Sequence, residues 1–212
     1  MRYLFFVLFT TGFALQAQTS IGFLSGYNRS HERYADDVAI PEDGRTHIHA
    51  WHASAVGETR LSRRLRLGAE LGLVQRGAAC IPGFLIFNQD TELRLNYVQF
   101  APSLVTRVAS YRRFGLYAYS GGSISYLLSG TRTITDGFSG REVKDRLILD
   151  HPTSNMRRLD YGLAVGAMLR YALSGGSLTT RIGTYRGFRH VDRENFSLSR
   201  DLLLSVGYLH TL

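Results

Sequence analysis

Apolar and polar side chains alternate along most of this chain. From Arg64 to Leu73 every odd position is Leu or Ala, and the even positions are Arg, Gly or Glu. Leu159 to Tyr171 repeats the pattern, with Leu, Tyr, Val and Ala at the odd positions and mostly Asp, Gly, Ala and Arg between them. Leu202, Leu204, Val206 and Tyr208 share one face of a third such segment. A period of two predicts strands with one apolar face and one polar or small face. Weaker alternation extends the prediction to strands near 19–28, 46–56, 63–75, 93–107, 113–128, 158–171, 177–187 and 199–211. Several are longer than the roughly five or six residues usual in soluble sheets. They suit the roughly 9–11 residues that a tilted strand needs to cross a bilayer.

The connections alternate too. Long ones fall at 29–45, 76–92, 129–157 and 188–198, short ones near 57–62, 108–112 and 172–176. Short turns at one rim and long loops at the other predict an all-β fold, an eight-stranded antiparallel up-and-down transmembrane β-barrel. An even strand number puts both termini at the short-turn, periplasmic rim. A soluble, lipocalin-like ligand-binding barrel would show the same alternation with its apolar face turned inward. Two features favour lipid outside. The polar face is rich in Gly (Gly68, Gly72, Gly162, Gly166, Gly183, Gly187, Gly207), which suits a crowded interior, and it carries charges of both signs. Arg66, Glu70, Asp160, Arg170, Arg181 and Asp201 are therefore expected as lumen ion pairs, Glu70 with Arg66 or Arg170, and Asp160 or Asp201 with Arg181. Tyr27, Tyr97, Tyr111, Tyr126, Tyr161, Tyr171 and Tyr208 stand near strand ends, where they would form interfacial girdles.

The N-terminus reads as an address. Met1-Arg2 precedes an apolar run from Tyr3 to Leu15, and Gln16-Ala17-Gln18 offers a small residue for cleavage. That is the signal-peptide pattern, so the expected division is a signal peptide over 1–17 and a barrel domain over 18–212. Neither this run nor any other reaches the roughly 20 residues of a spanning helix, which disfavours a membrane anchor.

Composition narrows the chemistry. With 212 residues and a single cysteine, Cys80, an intramolecular disulfide is excluded. The net charge is +8, and of 25 Lys plus Arg only Lys144 is lysine. Arginine forms bidentate bonds with phosphate. Arg132, Arg141, Lys144, Arg146, Arg157 and Arg158 are thus expected to meet lipopolysaccharide phosphates at the outer rim. Export and the lack of a basic cluster interleaved with aromatics argue against nucleic acid. His47 and His49 share a strand face and would supply half of a metal site. His52 and Ser54 also share a face, as a nucleophile and base would, but packed strand histidines and serines explain both pairs without chemistry. No cofactor is expected.

Several short segments resemble one known family. Leu95-Asn96-Tyr97-Val98-Gln99-Phe100-Ala101-Pro102 looks like the "LNYLEIP" segment of the outer-membrane beta-barrel domain family common in Bacteroidetes, which includes PorT-like proteins. Gly115 to Leu127, Asp160 to Gly166, Leu204 to Tyr208 and Leu73 to Gly77 resemble further strands of that family. Pro102 comes one residue late, and Leu212 stands where the family has a terminal aromatic. The resemblance implies an eight-stranded barrel in the outer membrane, inserted by the barrel-assembly machinery, and no single activity. Two function classes follow. One is a non-catalytic envelope scaffold, surface-loop interaction protein or secretion-system accessory. The other is a lipid A-modifying, deacylase-like enzyme using His52 and Ser54.

Overall fold

The alternating segments become strands because a chain in hydrocarbon has to satisfy every backbone N–H and C=O internally, and a closed sheet does so without an edge. The computed structural model describes residues 18–33, 45–80, 89–147, 157–189 and 198–212. The strands are β1 (Thr19–Arg33), β2 (Arg45–Thr46), β3 (Ile48–Arg60), β4 (Leu65–Cys80), β5 (Gln89–Tyr111), β6 (Phe114–Asp136), β7 (Glu142–Arg146), β8 (Leu159–Leu173), β9 (Gly176–Gly187) and β10 (Leu198–Thr211). Eight of them form the wall in the order β1-β3-β4-β5-β6-β8-β9-β10, all antiparallel. The ring closes where β1 meets β10, from Ser20 opposite Thr211 to Arg33 opposite Leu198. The predicted signal peptide, 1–17, lies outside the described residues, as do 34–44, 81–88, 148–156 and 190–197 of the long loops.

The apolar face points outward. Leu67, Leu71 and Leu73 on β4, Tyr161, Leu163, Val165 and Leu169 on β8, and Leu202, Leu204, Val206 and Tyr208 on β10 are all exposed. Their alternating partners are buried in the lumen, among them Asp160, Arg170, Arg181 and Asp201. Inside is polar and outside is apolar, the reverse of a soluble barrel and the arrangement of a membrane one.

Three predictions are corrected. Tyr97 is not part of a girdle: odd-numbered residues of β5 face inward, and it is 1% exposed in the lumen. The segment 129–157 is not wholly a loop, since β6 runs on to Asp136 and β7 pairs with its end, Thr131 opposite Arg146 through Thr135 opposite Glu142. β5 and β6, with 23 residues each, thus run on past the predicted strand ends, where β6 and β7 form a hairpin. Its outer part needs no lipid, so the alternation that locates a membrane strand fades there. Strands β3 and β4 also run further than 46–56 and 63–75.

Pro102 interrupts one ladder. It sits opposite Ala69 of β4, while pairing with β6 stops after Phe100–Ile124 and resumes at Ser103–Gly121. Proline has no N–H to donate.

Close packing in the lumen rests on glycine at two facing positions. Gly166 of β8 lies opposite Gly183 of β9 and next to Tyr119 of β6. A Cβ at Gly166 would stand 2.2 Å from the Ile182 carbonyl oxygen and 2.6 Å from the Tyr119 ring. The backbone oxygen cannot swing away. Gly166→Ala is therefore expected to lower stability by about 1–3 kcal/mol, the usual cost of overpacking. An unchanged urea midpoint in lipid vesicles would contradict this.

Candidate functional site

The lumen residues group at three heights, each built from one or two arginines, one or two tyrosines and one or two acids. Nearest the short turns, Arg170 of β8 is held by Glu58 of β3. Its Nη1 donates to Oε2 at 2.8 Å and its Nη2 to Oε1, while the guanidinium lies 4.7 Å from the Tyr117 ring centre. Arg66 Nη1 is 4.0 Å from the same carboxylate. At mid-height, Arg181 of β9 makes a bidentate contact with Glu70 of β4, Nη2 donating to Oε2 at 3.1 Å and Nη1 to Oε1, and lies 5.1 Å from the Tyr119 ring centre. Toward the outer rim, Arg76 of β4 takes two acids at once. Its Nη1 donates to Asp160 Oδ2 at 3.0 Å, and its Nε is 2.8 Å from Asp201 Oδ2, an ion pair without hydrogen-bond alignment. Ser125 Oγ and Gln99 Oε1 accept from the same guanidinium, which stacks 3.9 Å from the Tyr185 ring centre. The Tyr185 hydroxyl donates to Asp160 at 2.9 Å.

The geometry has a plain electrostatic logic. A guanidinium in a narrow, poorly hydrated lumen keeps its charge when a carboxylate takes its edge and an aromatic π-face lies beneath it. The four carboxylates Glu58, Glu70, Asp160 and Asp201 are matched by Arg66, Arg76, Arg170 and Arg181.

All six lumen residues singled out from the sequence face this interior, but their expected pairings are redistributed. Glu70 meets Arg181, not Arg66 or Arg170, and Asp160 and Asp201 share Arg76. The reason is strand tilt: residues at one height in the barrel sit at different offsets along neighbouring strands. Glu58, on the same face as His52 and Ser54 by parity, and Arg76 stand outside those six because they fall in the predicted turn 57–62 and loop 76–92. Extending the alternation His52, Ser54, Val56 by one step reaches Glu58, and extending Glu70, Gly72, Val74 by one step reaches Arg76.

The catalytic alternative is corrected in its partners. His52 and Ser54 both face the lumen, but Ser54 Oγ donates to Glu70 at 3.4 Å. The serine that meets His52 is Ser205 of β10, with Oγ 2.8 Å from Nε2. His52 Nδ1 has no hydrogen-bond partner, so no acid orients the ring as a triad needs. The adjoining cavity measures about 40 Å³, too small for an acyl chain. His49 Nδ1 is engaged by the Tyr27 hydroxyl, and no group of three metal-ligating side chains occurs among the described residues.

The outer-rim cations divide. Arg132, Arg141, Lys144 and Arg146 are exposed on the β6–β7 hairpin, where Asp136, Glu142 and Asp145 interleave with them and Lys144 Nζ is 3.6 Å from Glu142. Arg157 and Arg158 are half-buried beside the wall, and Arg158 Nη1 donates to the Tyr126 hydroxyl at 2.9 Å. A second basic group, not singled out from the sequence, faces outward on the wall. Arg29, His47, Arg186 and Arg200 line one groove of about 520 Å³, and Arg186 stands directly opposite Arg200 across the β9–β10 ladder.

The family model described as "Outer membrane protein beta-barrel domain" matches residues 10–193. The chain belongs to the outer membrane protein beta-barrel domain family. This member resembles several solved structures. The attachment invasion locus protein Ail of Yersinia pestis shares 14% identity over 91% of this chain and 98% of its own, with a TM-score of 0.44. A major outer membrane protein of Thermus thermophilus shares 13% over 90% and 99%, with a TM-score of 0.46. Neisserial surface protein A shares 11% over 88% and 95%, with a TM-score of 0.43. No curated protein matches the chain. Family and fold place this barrel in the outer membrane, with the short turns on the periplasmic side.

Proposed function

We propose that this outer-membrane barrel is a sealed, non-catalytic envelope protein that acts through its outer surface, as a scaffold, surface-interaction protein or secretion-system accessory. The observation that carries the reading is the set of three arginine layers spanning the lumen. An eight-stranded barrel is just wide enough for side chains to fill it, and here the fill is charged, paired and buried except for the half-buried Arg66 and Glu70. Export by a signal peptide cut after Ala17 completes the reading. The likeness of Leu95–Pro102 and Asp160–Gly166 to PorT-like proteins of Bacteroidetes supports the secretion-accessory form of it.

The outer rim meets lipopolysaccharide in this proposal. Arg186 and Arg200 face each other on the lipid side, and like charges directly opposite destabilise a sheet. Among the described residues no carboxylate pairs with either, so a lipid phosphate between them relieves the repulsion. Arg29 adds a third cation, and the hairpin cations Arg132, Arg141, Lys144 and Arg146, with Arg157 and Arg158 beside them, extend the contact outward.

The test of the seal is electrical. Barrels reconstituted into a planar bilayer are expected to show no steady conductance above the bare membrane, and the Glu70→Ala/Arg181→Ala pair to raise it. Stable open-channel steps in the unaltered protein would remove the basis for assigning its work to the outside.

A further inference from the structure

The periplasmic mouth of the barrel is a basic vestibule. Five arginines, Arg66, Arg107, Arg112, Arg113 and Arg170, line a cavity of about 370 Å³ with Ser177 among its hydroxyl donors. No carboxylate side chain lines it among the described residues. Glu58, the acid that Arg66 and Arg170 share, is already held by Arg170 through both oxygens, with Arg66 only at 4.0 Å. The vestibule therefore carries uncompensated positive charge inside a concave wall, where the field is focused rather than dispersed into solvent.

A second observation points the same way. β5 and β6 are joined by a tight turn at Arg112–Arg113, and Arg112 has φ of 51°, in the left-handed region. Turns of this kind favour Gly or Asn there, because a side chain with Cβ is strained. An arginine at that position costs stability that a glycine would not. It also sets an arginine at the lip of the vestibule, its guanidinium 5.3 Å from the Tyr111 ring centre. Strained backbone of this sort persists where the side chain has a task.

We propose that the vestibule binds a small soluble anion bearing two or more phosphate or carboxylate groups, taken from the periplasmic side. Planar guanidiniums from β4 (Arg66), β5 (Arg107) and the β5–β6 turn (Arg112, Arg113) give donors to more than one oxyanion at once, which a single monovalent ion does not use, while Arg170 stays with Glu58. A cavity of this size holds a small molecule and no more. Lipid headgroups reach the barrel from outside its wall, where Arg63 and Arg64 are exposed on the β3–β4 turn and do not line the cavity. The two sources of phosphate are thus separable.

The experiment titrates inorganic pyrophosphate into the protein, extracted from outer membranes in non-ionic detergent, by calorimetry at constant ionic strength. Saturable one-site binding is expected, weakened by about tenfold or more in Arg66→Gln and in Arg112→Gly and unchanged in the Arg63→Gln/Arg64→Gln pair. Arg112→Gly also separates binding from folding, because relief of the left-handed strain is expected to raise the thermal midpoint while affinity falls. Absence of saturable binding overturns the proposal. So does binding lost in the Arg63/Arg64 pair but retained in Arg112→Gly, which would assign these charges to lipid headgroups.

Discussion

Arg76→Ala is expected to lower unfolding stability by about 3–5 kcal/mol, the cost of stripping one partner from a buried ion pair. The effect belongs at the upper end, because one guanidinium serves two carboxylates, Asp160 and Asp201, both buried. Its removal also leaves the Gln99 and Ser125 oxygens without their donor. The measurement is the urea midpoint in lipid vesicles together with the temperature of the heat-modified gel shift. Two further variants make the result diagnostic. Adding Asp160→Asn and Asp201→Asn to Arg76→Ala removes the stranded charges and is expected to recover much of the loss, whereas Arg76→Lys keeps the charge but not the planar stack on Tyr185. If Arg76→Ala unfolds at the same midpoint as the parent, the outermost layer is not a buried electrostatic unit, and the sealed-lumen reading loses its main support.

Leu71→Arg probes the opposite face. Leu71 is near the middle of β4 and 59% exposed. In a membrane barrel an arginine facing hydrocarbon near the midplane costs about 2–4 kcal/mol. In a soluble barrel with water outside, an exposed substitution of this kind changes stability by only about 0.5 kcal/mol. Folding into vesicles of defined thickness therefore separates the two. Leu61, exposed in the β3–β4 turn, is the control: Leu61→Arg is expected to be nearly neutral, since it lies at the periplasmic rim. A neutral Leu71→Arg would mean that the aliphatic face does not meet lipid.

The lumen site was only half legible before the fold. Arg66, Glu70, Asp160, Arg170, Arg181 and Asp201 stand out because each occupies a polar position inside an alternating run, and each faces the interior. Glu58 and Arg76 obey the same alternation, but they sit just past the predicted strand ends at 56 and 75. Ser205 occupies a polar position of the Leu202–Tyr208 run, but nothing local pairs it with His52. It is 153 residues from His52 in sequence, and only ring closure between β1 and β10, with β3 beside β1, brings the two together. The Tyr117–Arg170, Tyr119–Arg181 and Tyr185–Arg76 stacks are likewise products of assembly.

What the chain determined alone was periodicity and therefore sidedness. A period of two fixes which residues share a face, and the alternation of long and short connections fixes the antiparallel order and the two rims. Tertiary structure decided who meets whom across the barrel. That depends on tilt and stagger, which shift each strand along its neighbour without changing the parity of a single residue, so the same alternating sequence is compatible with several sets of partners. Closure selects one set, and with it the three arginine layers and the cluster of arginines beneath them.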